Sequence, residues 1–167
     1  MEKKNSSPNK NTNKNTQQAV KLTILASNRK ALHEYFVEQR FSAGVVLAGT
    51  EVKSVKKSKL NMSDAYCIFK SGELWLRNMH ISEYSHGSIN NHESKRERKL
   101  LLKKRELRKL EAKVKERGYS IVPLEVLLTD RQLIKIEIAL VKGKHAYDKR
   151  DSIKERDVQR AMDRNDY

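Results

Sequence analysis

Five histidines, one cysteine and 21 carboxylates are the groups through which this sequence would run acid–base, nucleophilic or metal chemistry, and their spacing argues against all three. His33, His80, His86, His92 and His145 stand apart, with no paired cysteine or acidic partner at metal-ligand spacing. His86 and His92 share one loop, but two imidazoles alone do not make a site. Cys67 alternates with Tyr66 and Ile68 in an apolar run, which predicts a buried core thiol rather than a nucleophile. As the only cysteine it also has no internal disulfide partner. Gly44 and Gly49 lack the lysine and hydroxyl ending of a phosphate-cradling loop. Most acidic residues adjoin Lys or Arg on faces expected to be exposed, where solvated ion pairs are the ordinary outcome. No enzyme, metal or cofactor is expected.

The chemistry that remains is electrostatic. The chain carries 36 Lys and Arg against 21 Asp and Glu, a formal +15 over 167 residues. The excess is uneven: net +6 over 1–30, zero over 31–94, +8 over 95–117, −1 over 118–141 and +2 over 142–167. The apolar segments are therefore nearly neutral, and the cations gather on an arm and one internal segment. Such placement points to nucleic acid. An anionic lipid surface fits less well, because the basic segment lacks the Trp or Phe of a membrane-surface helix. No apolar run approaches the ~20 residues of a membrane span. The N-terminus lacks the apolar centre of a signal peptide. A soluble, cytoplasmic, monomeric protein is expected. Composition alone leaves a basic ribosomal or translation-associated RNA-binding protein open.

Residues 1–18 hold Met1 as their one strongly apolar side chain, too little to offset ordering entropy, which predicts a disordered polar arm. Residues 19–142 read as one domain. Val20, Leu22 and Ile24 alternate with polar neighbours as a short strand. From Tyr35 to Leu47 the odd positions read Tyr, Val, Gln, Phe, Ala, Val, Leu and the even ones are more polar, a period of two that predicts a half-buried strand with a bend or bulge at Gly44. Thr50 is expected to cap a short helix through Val52 and Val55. Ala65–Phe69 and Glu73–Leu76 flank Ser71-Gly72 as a hairpin. Its second strand is expected to continue through Met79 and Ile81 to Tyr84, before an exposed loop.

Leu100, Leu107, Leu110 and Val114 fall on one face of a 3.6-residue period, predicting one long basic helix over about 97–117 that stops at Gly118. On that helix Leu101 would sit about 100° from the stripe, on its flank. Ser120–Leu128, with Pro123 at an edge or bulge, and Leu133–Val141 close the domain around a turn at Thr129–Gln132. The pattern predicts a mainly β fold with helices, a small antiparallel OB-like barrel of five or six strands; periodicity also fits a twisted α+β sandwich. Residues 143–167 read as a flexible tail. Ser152 and Glu155 form a capping-box pattern, but apolar support is thin, so a helix over about 152–163 is expected only when a partner orders it.

Several stretches together resemble the SmpB (small protein B) family and span most of Asn28–Arg156. They are Asn28–Ala31 with His33–Phe36, Ala43-Gly44 with Gly49–Ser54, and Arg98–Leu102 with Arg105–Leu107. Gly118-Tyr119 with Val122–Leu124, Lys142–Lys144, Tyr147–Arg150 and Ile153–Arg156 complete the series. The resemblance implies an adaptor that binds the transfer-RNA-like domain of transfer-messenger RNA and carries it to stalled ribosomes. It stands in for an anticodon stem at the small-subunit decoding centre, while its tail enters the vacant messenger channel and becomes helical. The ribosome then resumes on the frame of that RNA, which adds a degradation tag.

The same resemblance implies an RNA surface made of Leu101, Lys103, Lys135, Ser42, Lys30 and His33. It implies a ribosome-facing set of Tyr147, Asp148, Lys149, Arg150, Lys142, Lys144, Ile153, Lys154 and Arg156. An exposed Tyr147 ring can stack on an unpaired base while its cationic neighbours hold phosphates. Three positions depart from the family pattern. Ser42 stands where Glu is common, Lys103 where His or Asn is common, and His145 where Lys is usual.

Overall fold

Alternation of apolar and polar side chains sets most of the strands, and tertiary partners decide the rest. A computed structural model describes residues 22–87, 91–116 and 118–144. The expected arm at 1–18 and the tail helix at 152–163 lie outside these residues. The chain runs β1 (Leu22–Ser27), α1 (Arg29–Glu34), β2 (Tyr35–Val45), α2 (Gly49–Lys56), β3 (Leu60–Asn61) and β4 (Tyr66–Lys70). It continues as β5 (Glu73–Arg77), β6 (His80–Ile81), β7 (Arg98–Leu101), α3 (Lys104–Lys115), β8 (Tyr119–Thr129) and β9 (Ile134–Gly143). The fold is mainly β sheet with a few helices. None of the described helices is long and apolar enough to cross a membrane.

All the pairings are antiparallel. They run β8–β4–β5–β7–β2–β9, and β9 pairs again with β8, so the order returns to its start. β1 joins at β8, while β3 and β6 form a separate ladder. The β4–β8 junction rests on one register pair, Cys67 with Ile121. Ser71 and Gly72 both take positive φ, 52° and 76°, the two left-handed residues that a tight hairpin between β4 and β5 needs. Inside the circuit, Phe41, Ala43, Leu74, Leu76, Leu100, Ile136 and Ile138 form the main core. α3 presses the fully buried Leu110 onto it, flanked by Leu107 and Val114. A second cluster of Ala31, Val122, Leu124, Ala139 and Val141 lies under α1. Ile121–Leu124 of β8 and Ile138–Val141 of β9 are thus buried on both faces, which accounts for the apolar runs there.

Nine strands stand among the described residues where five or six were expected, and the second hairpin strand ends at Arg77 instead of continuing to Tyr84. Four further expectations need correction. First, residues 29–34 form a helix where periodicity predicts no element. Asn28 is buried, and its Oδ1 accepts from Ala31 N–H at 3.1 Å as an N-cap. Its Nδ2 donates to the carbonyls of Met62 and Pro123, so this turn is fixed from segments far along the chain. Second, the irregularity of β2 falls between Val37 and Gln39, while Gly44 is regularly paired. Third, α2 is capped by Glu51, which accepts Ala48 N–H at 2.6 Å. Thr50 lies inside the helix and faces His92 Nδ1 at 3.0 Å.

The fourth correction concerns the long basic helix. Residues 98–101 are strand β7, paired with β5 through Leu76–Arg98, Trp75–Lys99 and Leu74–Leu100. The helix spans only Lys104–Lys115. The cause is a buried ion cluster. Arg98 and Glu51 are both fully buried, and Arg98 Nε donates to Glu51 Oε1 at 2.8 Å. The other Arg98 nitrogens donate to the carbonyls of Met79, Ser94 and Arg96 at 2.6–3.0 Å. Arg96 also binds Glu51, with Nε at 2.8 Å from Oε1 and Nη2 on Oε2. Burial pushes the Glu51 carboxyl upward, but the Arg96, Ala48 and Arg98 contacts outweigh it and hold the group below the ordinary carboxylate range. A guanidinium committed to these partners keeps its backbone extended, whatever the helical propensity of its neighbours.

Candidate RNA-binding surface

Leucine alternation on β7 sends Leu100 inward and Leu101 outward, at 2% and 50% exposure. Leu101 is therefore a strand residue on the sheet's outer face rather than the flank of a helix. Its cross-strand neighbour on β2 is Gly44, and the neighbour of Gly44 on β9 is Lys135. The three form one row, with an apolar side chain at one end, an ammonium at the other and bare backbone between them. A Cβ on Gly44 would lie 3.3 Å from Leu101 Cβ, tighter than ordinary packing. The glycine thus leaves a hollow of about 510 Å³, lined by Ser42, Gly44, Leu101, Leu102, Lys103, Glu106 and Lys135.

Ser42 shares the outer face of β2 with Gly44 and pairs with Glu137 on β9. Lys103 reaches the hollow because β7 ends two residues before α3 begins. Glu106 accepts Lys103 N–H at 3.0 Å, which closes the start of that helix. A second hollow of about 430 Å³ shares Ser42, Lys103 and Glu106, and adds Gln39, Arg40, Phe41, Arg105 and Lys109. Arg40 is held by Glu137 at 3.2 Å. Lys103, Arg105, Lys109 and Lys135 make no ion pair among the described residues. Positive charge is thus left facing solvent around a bare backbone floor.

Four residues expected to act together, Ser42, Leu101, Lys103 and Lys135, meet here. Lys30 and His33 do not line either hollow. Both sit on α1, where Lys30 Nζ pairs with Asp64 at 2.7 Å. Asp64 raises the Lys30 ammonium above its ordinary value, and Lys30 lowers the Asp64 carboxyl in return. α1 also borders the point where the described chain ends. Lys144 N–H donates to Glu34 O at 3.0 Å, its Nζ donates to Leu32 O at 3.3 Å, and its ammonium lies 5.0 Å from the Phe36 ring. Lys142 is exposed and pairs with Phe36. Tyr147, Asp148, Lys149, Arg150, Ile153, Lys154 and Arg156 lie outside the described residues. Gly44 and Arg40 were not expected on the surface, whereas Arg105 and Lys109 belong to the basic segment 95–117 whose charge pointed to nucleic acid. Arg40 had a signal, since it shares the even, outward positions of β2 with Ser42.

The one cysteine is placed as its sequence context predicts. Cys67 is buried, and burial pushes its thiol far above the ordinary range. Among the described residues no three His, Cys, Asp or Glu side chains group to hold a metal ion.

Fold and surface together define a small β-rich protein with an apolar-and-cationic patch suited to a polyanion. The family profile described as "SmpB protein" matches residues 25–166. The chain is 51% identical over 141 residues to an SsrA-binding protein of Phocaeicola vulgatus, covering 84% of this chain and 94% of that one. It is 50% identical over 143 residues to an SsrA-binding protein of Wolbachia sp. subsp. Brugia malayi, covering 86% and 96%. It also superposes on a chain of the solved structure "tmRNA-SmpB: a journey to the center of the bacterial ribosome". That match has a TM-score of 0.62 and 40% identity, and covers 72% of this chain and 85% of the other. The chain belongs to the SmpB family.

Proposed function

We propose that this chain binds the transfer-RNA-like domain of transfer-messenger RNA and delivers it to stalled ribosomes, without catalysing a reaction itself. The observation that carries the proposal is the Leu101–Gly44–Lys135 row, with Ser42 and Lys103 beside it, in a member of this family. The names of the relatives and the description of the solved neighbour support transfer-messenger RNA and the ribosome as its partners. We read the returning strand order as an oligonucleotide-binding-type barrel, occupying residues 19–142 between an arm at 1–18 and a tail at 143–167. Lys103 and Lys135 hold phosphates, and the Ser42 hydroxyl supplies one hydrogen bond. Leu101 packs on an exposed base or ribose across the bare Gly44 floor. Lys142 and Lys144 flank the start of the tail, whose Tyr147–Arg150 and Ile153–Arg156 segments probe the decoding centre.

Titration of the chain with a transfer-RNA-like transcript at several salt concentrations tests the proposal. Log affinity should fall linearly with log salt. Reversing both Lys103→Glu and Lys135→Glu should lower the slope by about 1.4–1.8, the counterion release of two phosphate contacts. The thermal midpoint should stay near wild type, because both side chains are exposed. An affinity nearly independent of salt would make the patch a merely solvated face. Ser42→Ala should cost about 1 kcal/mol of binding, one neutral hydrogen bond. A loss of several kcal/mol in a folded Ser42→Ala variant would make Ser42 a central contact instead.

A further inference from the structure

The end of α2 carries a cluster of cations that the surface above does not use. Lys53, Lys56, Lys57 and Lys59 are all exposed, and none makes an ion pair among the described residues. Lys53 and Lys57 sit one helical turn apart. Their ammonium groups converge on a single ring, at 5.1 and 5.0 Å from the centre of Tyr84. The His86 ring lies 5.4 Å from that of Tyr84. A ring quadrupole attracts each cation but carries no net charge, so two like charges are gathered without being neutralised. The helix C-terminus supplies only about half an elementary charge. Glu83, next to Tyr84, is exposed and pairs with neither lysine. The cluster therefore favours an anion.

Its position points to which anion. Lys56 Nζ donates to Gln132 Oε1 at 3.0 Å, in the turn between β8 and β9. Gln132 is three residues from Lys135, on the order of 10 Å along an extended chain at ~3.3 Å per residue. α2 thus adjoins the end of the strand that presents Lys135, close enough for one structured RNA to cover both. We infer that Lys53 and Lys57, held in place by Tyr84, form a second phosphate-binding surface for the RNA bound at the Gly44 row. This rests on the RNA-binding reading above.

The test uses the full chain and a transfer-RNA-like transcript, titrated across salt, with Lys103→Glu/Lys135→Glu as the reference variant. Lys53→Glu/Lys57→Glu should weaken binding and lower the salt slope by about 1.4–1.8. Tyr84→Phe keeps the ring and should bind as wild type, whereas Tyr84→Ala releases the lysines and should weaken binding severalfold. Wild-type affinity and slope in Lys53→Glu/Lys57→Glu, with the reference variant impaired, would overturn the inference and leave the RNA reading standing. Wild-type binding by both double variants would overturn both. If reversal lowers the thermal midpoint, Lys53→Gln/Lys57→Gln decides: a reduced slope supports the inference and a wild-type slope overturns it. A loss confined to 70S ribosomes would assign the lysines to a different RNA and also overturn it.

Discussion

Glu51→Gln is expected to destabilise the protein by about 3–5 kcal/mol, the usual penalty for leaving one partner of a buried pair uncompensated. The substitution keeps the shape of the side chain but leaves Arg98, fully buried, facing Arg96 with no negative charge between them. β7 should loosen first, because Arg98 ties it to Met79 and Ser94. Chemical denaturation of both proteins measures the loss. Adding Arg98→Met to the Glu51→Gln variant should restore part of it, since the orphaned guanidinium is then gone. The pH dependence has a definite sign. Glu51 is held below its ordinary value, so its contribution is fully present above the unfolded pKa, near ~4.3. It is lost as pH falls through the lower folded value. Wild-type stability should therefore drop in the acid range by more than that of Glu51→Gln. Equal pH profiles, or a loss below about 1 kcal/mol, would mean that the cluster does not hold β7.

Ending the chain after Lys144 is expected to abolish tagging on stalled ribosomes while leaving affinity for the transfer-RNA-like transcript almost intact. The Gly44 row and both hollows lie wholly within residues 39–135. The truncation also keeps the Lys144 hydrogen bonds to Glu34 and Leu32. A milder variant replaces Tyr147, Asp148, Lys149 and Arg150 by Ala, removing the stacking ring and its charges at constant length. Val158→Pro tests the helix expected at 152–163, because an interior proline costs ~3 kcal/mol of helix formation. A binding titration and a tagging assay on the same three variants separate the two roles. Joint loss of binding and tagging would make the tail part of the RNA surface. Surviving tagging in the truncated chain would deny the tail any decoding-centre role.

Local signals were readable wherever a local rule decides the structure. The odd-numbered apolar residues of β2 announced its buried face, and Ser71-Gly72 announced its hairpin. Pro123 marked a bulge, which falls between Pro123 and Glu125. Misreadings came where a distant partner decides. Leu100 lies seven residues before Leu107 and fits the helical stripe by coincidence. Its partners as a strand are distant ones, β5 and β2 beside it and Glu51, 47 residues from Arg98. α1 likewise depends on Asn28 reaching Met62 and Pro123. For the surface, Ser42, Leu101, Lys103 and Lys135 came from the family resemblance and converge in space. The meeting of Arg40 with Arg105 and Lys109 needed the approach of β2 to α3, which no spacing in the chain reveals.

Occupation of the Gly44 row by one particular RNA is the expectation on which the rest depends. Its most direct test is recovery of the chain from cells and sequencing of the RNA bound to it, beside the Lys103→Glu/Lys135→Glu variant. One dominant stable species with a transfer-RNA-like end is expected, strongly depleted from the variant. A mixture led by ribosomal RNA without that species, or the same species bound equally by both proteins, would contradict it.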